Sequence, residues 1–184
     1  MTPRVGTLPL EPYRPDVVAP AVSRLLDARP DLADQAWVVE IDPDLADTQA
    51  LNEAYGIDPE LGANCVVVMG RRGADERPAA CVVLSSTRAD VNGLVRRTLD
   101  VRKCSFAPQD WAVAESGMEH GGITPVGLPT SWALLVDRAV TEQPWVVVGS
   151  GLRRSKLVLP GSALAGLPGA LVLDGLGLPV QPEA

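Results

Sequence analysis

The stretch of this sequence best equipped for chemistry is GMEHGGITPVGLP, residues 117–129. It gathers Gly117, Gly121, Gly122 and Gly127 beside Pro125 and Pro129. Glycine admits positive φ and lets a backbone approach a ligand closely, while proline fixes its own φ. Together they predict a stiff loop with exposed backbone N–H groups, able to hold a carbonyl or carboxylate oxygen. On composition alone, the competing reading is an elaborate turn that binds nothing. His120, the one histidine of the chain, stands immediately before Gly121. It could line a pocket and titrate near neutral pH, or be a surface hydrogen-bonding residue.

Other reactive side chains are sparse. Cys65, Cys81 and Cys104 form no C-x-x-C pair, and two of them sit in β-rich runs (NCVVV, ACVVL). That setting predicts buried, reduced thiols. With a single histidine, a zinc site lacks ligands, and no metal or other cofactor is expected. The run GSGLRR at 149–154 partly matches a dinucleotide-binding G-x-G-x-x-G, but Arg154 stands where the third glycine belongs.

The elements that must position these groups follow from periodicity. DVVAPAVSRLLDAR, from Asp16, has helical spacing, with Asp16 as N-cap. AWVVEI (36–41) reads as a strand, and DTQALNEAYG as a helix opened by Asp47 and closed by Gly56. NCVVVM (64–69) and AACVVL (79–84) predict a hairpin joined by the polar GRRGADERP. TRADVNGLVRRTL (87–99) has a helical period; SFAPQ leads into a further helix, DWAVAESG. Residues 132–137, 145–149 and 155–159 predict three more strands, GSALAGL a last short helix, and the tail after Leu173 a loop. Strands and helices do not alternate strictly, so the expected class is α/β with a curved, mixed, largely antiparallel sheet surrounded by helices.

Length and composition set outer bounds. A chain of 184 residues, 46% of them apolar, suits one domain. Residues 1–15 are expected to be an extended N-terminal arm and 16–184 the domain. No run approaches the roughly 20 apolar residues needed to cross a bilayer, and the N-terminus is too charged and proline-rich for a signal peptide. A soluble cytoplasmic protein is expected. The net charge of −7 is uneven: residues 1–60 hold 12 acidic and 4 basic side chains, the remainder 11 and 12. A nucleic-acid-facing surface in the second part is thus compatible with the charge, though no basic stripe announces one. The four tryptophans, Trp37, Trp111, Trp132 and Trp145, are expected in the core.

GGITP at 121–125, followed by Gly127, resembles the G-x-x-x-P loop of the YbaK and prolyl-tRNA editing-domain family. The resemblance extends over roughly residues 45–173 through RKCSFA (102–107), the LLVD strand ending at Asp137, WVVVGSG (145–151) and PGSALAGL (160–167). It implies a single YbaK-like domain that hydrolyses the ester joining a wrong amino acid to tRNA, for example alanine or cysteine on a proline tRNA. Aminoacylated tRNA would be the partner, with an aminoacyl-tRNA synthetase as a further one. The backbone amides of Gly121, Gly122 and Ile123 would act on the acyl carbonyl. Asn64, Cys65, His120, Thr124, Pro125, Gly127 and Asp137 would surround the substrate.

One departure bears on activity. The family carries a lysine in the strand corresponding to residues 63–69, where this chain reads ANCVVVM, with Asn64 and Cys65 near the expected place. A neutral amide does not replace an ammonium as a phosphate partner. Lys103, Arg153, Arg154 and Lys156 are the cations that could contact tRNA instead. The competing reading is a relative without catalysis, binding a small ligand, a nucleotide or a protein partner through the same pocket.

Overall fold

The apolar runs pair into two sheets that meet at a seam. The structure, a computed structural model, describes residues 2–180. The larger sheet is built on the hairpin of β3 (Ala63–Arg72) and β4 (Asp75–Leu84). Its two-residue turn places Gly73 at φ 63°, a conformation suited to a tight hairpin. β6 (Lys103–Phe106) pairs antiparallel with β3 and forms one edge. β7 (Ala133–Asp137) and β10 (Ala170–Leu173) extend the other side, both in parallel pairing.

The smaller sheet runs in the order β1 (Glu11–Pro12), β2 (Trp37–Glu40), β9 (Ser155–Leu159) and β8 (Val146–Gly149), all antiparallel. A parallel bridge between Gly62 and Val147 links the two sheets where β3 begins. A two-stranded ribbon, β5 (Thr87–Ala89) with β11 (Gly177–Pro179), completes the strands. Pairing is therefore mostly antiparallel and the sheet is not closed. The expected α/β class and the curved, largely antiparallel arrangement hold.

Helices fill the connections: α1 (Pro20–Ala28), α2 (Pro30–Ala33), α3 (Thr48–Tyr55), α4 (Arg96–Thr98), α5 (Gln109–Ser116), α6 (Arg138–Thr141) and α7 (Gly161–Ala165). Asp47 caps α3 by accepting from the N–H groups of Gln49 and Ala50, and Gly56 ends it at φ 60°. Gly117 ends α5 in the same way, at φ 67°. Among the described residues no helix is long and apolar enough to cross a membrane.

Several elements differ from expectation. Asp16 does not cap α1; it lies in a 3-10 turn over Pro15–Val17, and α1 begins at Pro20. Proline favours the first helical turn, where it has no hydrogen bond to lose. The span 87–99 is not one helix but β5, a π-turn over Val91–Val95 and α4. Asp90 accepts from the N–H groups of Gly93 and Leu94 and starts that turn afresh. The tail after Leu173 carries β11, and β6 and β10 are strands the periodicity left unmarked.

The main core lies between α1, α5 and α7 and one face of both sheets, with Val22, Leu26, Leu134, Val148, Leu157 and Leu164 among its buried members. Trp111 of α5 stacks on Trp132 at 5.2 Å between ring centres. The first residues pack against the rest of the chain: Val5 is 1% exposed and joins a cluster with Val39, Leu51 and Val158.

Candidate functional site

A cavity of about 470 Å³ opens at the seam between the sheets. Its walls come from both: Ala63–Val67 of β3, Val147–Gly149 of β8, and Lys156 of β9. The start of α3 contributes Asp47, Thr48, Leu51 and Asn52, and the β6–α5 junction contributes Phe106, Ala107 and Gln109. His120, Gly121 and Ile123 of the glycine–proline loop line it as well. The loop therefore borders a hollow.

Local rules fix the loop. The N–H of Gly122 donates to the Glu119 carbonyl at 2.9 Å, closing a turn with His120 and Gly121 at its tip. Gly121 has φ 78°, which a residue with a Cβ rarely adopts in that third turn position. The turn is clasped by the Gly149–Gly151 corner: Gly151 N–H donates to the Gly122 carbonyl at 2.8 Å, and Glu119 N–H to the Gly151 carbonyl at 2.9 Å. The Glu119 carboxylate also accepts from the Arg153 N–H at 2.6 Å. Of the three amides expected to act, that of Gly122 is thus committed inside the turn. The N–H groups of Gly121 and Ile123 have no acceptor among the described residues.

Lys156 is the unexpected element. Rather than standing on a basic outer edge, it is 6% exposed, on an interior strand, and its ammonium donates to the Ala46 carbonyl at 2.7 Å. An ammonium carries three donors, and the other two have no acceptor among the described residues. Burial pulls its pKa from 10.5 down to about 8; the charge of Asp47 opposes that fall and the charge of Arg153 adds to it. Arg153 is half-buried: its guanidinium donates to the Pro43 carbonyl at 3.0 Å and lies over Gly121, and its backbone is held by Glu119. The cavity thus holds one buried cation and has a second beside its loop.

On the opposite wall Asn64 and Cys65 are present as expected. Asn64 Oδ1 accepts from the Thr48 hydroxyl at 2.7 Å, joining β3 to α3. Burial pushes the Cys65 thiol far above its ordinary value, and the nearby Cys81 adds to that. Cys65 is therefore protonated, and the three cysteines are free. Among the described residues no group of three or more His, Cys, Asp or Glu side chains is placed to hold a metal.

Other expected site residues lie outside the cavity. Thr124 is fully buried, its hydroxyl unpartnered. Pro125 and Gly127 line a separate hollow of about 260 Å³ under α1, and a Cβ on Gly127 would collide with the backbone of Ala21. Their role is to seat the loop on α1. Asp137 is buried at the end of β7, where it accepts from the Gly177 N–H at 3.1 Å and burial raises its pKa. It anchors β11. Arg154 is exposed on the far side of the corner, bonded to the Asp16 carbonyl at 3.1 Å and 3.7 Å from Glu40. Lys103 is exposed on the edge strand β6, outside the cavity wall. Asp47, Thr48, Asn52 and Phe106 were not anticipated as wall residues; the N-cap pattern at Asp47 was the one signal that placed a helix end here.

The class that this fold and cavity define is matched by comparison with known proteins. The model of the aminoacyl-tRNA editing domain matches residues 42–167, and the chain belongs to that family. Among solved structures, one described as a candidate trans-editing enzyme for prolyl-tRNA synthetase is 22% identical, with TM-score 0.70, covering 85% of this chain and 97% of that one. A hypothetical protein superposes with TM-score 0.74 at 20% identity, covering 86% and 99%. A candidate signal-transduction protein from Marinobacter aquaeolei VT8 reaches TM-score 0.56 at 16% identity, this chain covering 30% of its length. At these identities the likeness is one of fold, and the activity must be argued from the cavity.

Proposed function

We propose that the protein is an aminoacyl-tRNA deacylase acting in trans, hydrolysing the ester between a small mischarged amino acid and its tRNA, with alanine or cysteine on a proline tRNA as the leading substrates. The observation that carries this reading is the pairing of two unbonded loop amides, Gly121 and Ile123, with the buried ammonium of Lys156 in one cavity. The amides suit the oxyanion that develops when water attacks an ester carbonyl. The ammonium suits the phosphate or hydroxyl oxygens of the terminal nucleotide.

The chemistry asks little of the side chains. Water adds to the acyl carbon, its proton relayed through the neighbouring hydroxyl of the terminal ribose, which gives its own proton to the departing ester oxygen. The tetrahedral intermediate then expels the ribose oxygen, which leaves as a hydroxyl, releasing the free amino acid. Cys65, held protonated, is a wall and not a nucleophile. Selectivity rests on volume, since one or two carbons are worth only about 1–3 kcal/mol in an apolar pocket and a second sieve must act after aminoacylation.

The competing reading, a pocket that binds without hydrolysis, draws its force from Asn64 and Cys65 standing where the family has a lysine. Lys156, entering from β9, returns a cation to the same cavity and favours hydrolysis. A synthetase partner is proposed by analogy with the neighbour described as serving prolyl-tRNA synthetase. The test is a panel of mischarged tRNAs with purified protein and Lys156→Ala. Release of alanine or cysteine above the buffer rate, lost in the variant, is expected; no release from any tRNA overturns the proposal.

A further inference from the structure

Phe106 is the chain's one phenylalanine, and it is 69% exposed while lining the cavity. A large aromatic left in water forfeits the stabilisation that burial would bring. Its backbone is rigidly placed: Phe106 pairs with Val68 on β3, and the Ala107 N–H donates to the Val67 carbonyl at 3.0 Å. The exposed ring is therefore held on a fixed strand.

The strand leading to it is basic. Arg102 and Lys103 are exposed, Arg102 N–H donates to the Arg71 carbonyl at 3.0 Å, and Lys103 pairs with Arg71. Arg96 and Arg97 of α4 are exposed and adjoin this strand, the Arg96 carbonyl accepting from Val101 N–H at 3.2 Å. The acidic groups here are largely engaged: Asp100 with Arg72 and Arg77, Glu76 with Arg71. Arg96, Arg97, Arg102 and Lys103 have no ion-pair partner among the described residues. Free cations thus run along one edge to an exposed aromatic at a cavity wall, the combination that single-stranded nucleic acid uses, phosphates on cations and a base on a ring.

We propose that Phe106 is the stacking platform for the 3′-terminal base of the tRNA, and that Lys103, Arg102, Arg96 and Arg97 track the phosphates of the strand leading to it. The inference rests on reading the cavity as the site of the tRNA 3′ end, and adds the direction from which that end arrives.

The test uses the full chain and an uncharged acceptor-stem minihelix carrying 2-aminopurine as its terminal base. Stacking on Phe106 quenches that fluorophore on binding. Phe106→Ala is expected to abolish the quench and weaken binding about ten-fold, with Phe106→Trp restoring both. Arg102→Ala with Lys103→Ala is expected to lower the slope of log K against log salt by about 1.5, while Arg24→Ala on α1 leaves it unchanged. Quenching and salt slope identical to wild type in these variants, with circular dichroism unchanged, would overturn the proposal even if deacylation is observed. A Phe106-dependent quench in a protein that deacylates nothing would support it while removing the hydrolytic reading.

Discussion

The N–H of Gly151 donates to the carbonyl of Gly122 at 2.8 Å, so two glycine turns far apart in the chain are locked backbone to backbone. The contact has no room for side chains. A Cβ on Gly122 would lie 2.8 Å from the Leu152 carbonyl carbon, and one on Gly149 would strike the carbonyls of Gly122 and Ile123. The second turn thus fixes where the amides of the first can sit.

Gly149→Ala is therefore expected to push the loop off its support. Overpacking of this kind costs about 1–3 kcal/mol. Urea denaturation should read a loss in that range, and deacylation should fall at least ten-fold as Gly121 and Ile123 shift. Gly117→Asn is the contrast: its Cβ meets nothing within 4 Å and asparagine tolerates a left-handed conformation. It should leave activity within two-fold. Equal losses in both variants would refute the lock.

Lys156 titrates inside the working range of an enzyme. Its pKa of about 8 in the free protein means that the ammonium is lost as pH rises through that value. The enzyme-specific kcat/KM, after subtraction of spontaneous ester hydrolysis, should fall above pH 8, because that ratio reports the free enzyme. Lys156→Arg, which stays charged, should flatten the fall even if its absolute rate is lower. A wild-type profile flat to pH 10 would exclude the ammonium from the reaction.

The same residue costs stability. Below pH 8 the ammonium is protonated in both folded and unfolded chains, and the folded chain bears the full penalty of burying it. Between about 8 and 10.5 the unfolded chain holds a proton the folded one has shed, so this group's contribution to stability rises with pH. Lys156→Met should therefore stabilise the fold at pH 7 by roughly 1–3 kcal/mol, net of the lost bond to Ala46. The advantage should shrink towards pH 10. A destabilised methionine variant at pH 7 would mean that the ammonium is a structural bond and not a retained functional charge.

Local signals were legible and non-local ones were not. Asp47 and Gly56 bracket α3 by capping rules that act within one turn, and the β3–β4 hairpin follows from two adjacent β-branched runs. β6, β10 and β11 are short and take their identity from partners far along the chain, which periodicity does not encode. The glycine–proline loop announced itself by composition. Lys156 did not: RRSK reads as a solvated edge, yet Ser155, Leu157 and Leu159 turn to one face of β9 while Lys156 and Val158 turn to the other, towards α3. A lysine alternating with Leu, Val and Leu in a predicted strand was the available sign of its depth.

Cys65 tests the size sieve apart from the loop. Its thiol lines the cavity and is protonated because burial, reinforced by Cys81, disfavours the thiolate. If it is only a wall, Cys65→Ala should keep kcat for an alanyl ester within about three-fold, which thiol nucleophilic catalysis would not permit. The same variant enlarges the cavity by one sulfur, so discrimination against larger acyl groups should relax by up to about ten-fold. Cys65→Leu should do the reverse, excluding cysteine before alanine. Steady-state rates on alanyl, cysteinyl and prolyl esters of one tRNA decide the matter. Complete loss of alanyl hydrolysis in a well-folded Cys65→Ala protein would replace the water mechanism with a covalent one.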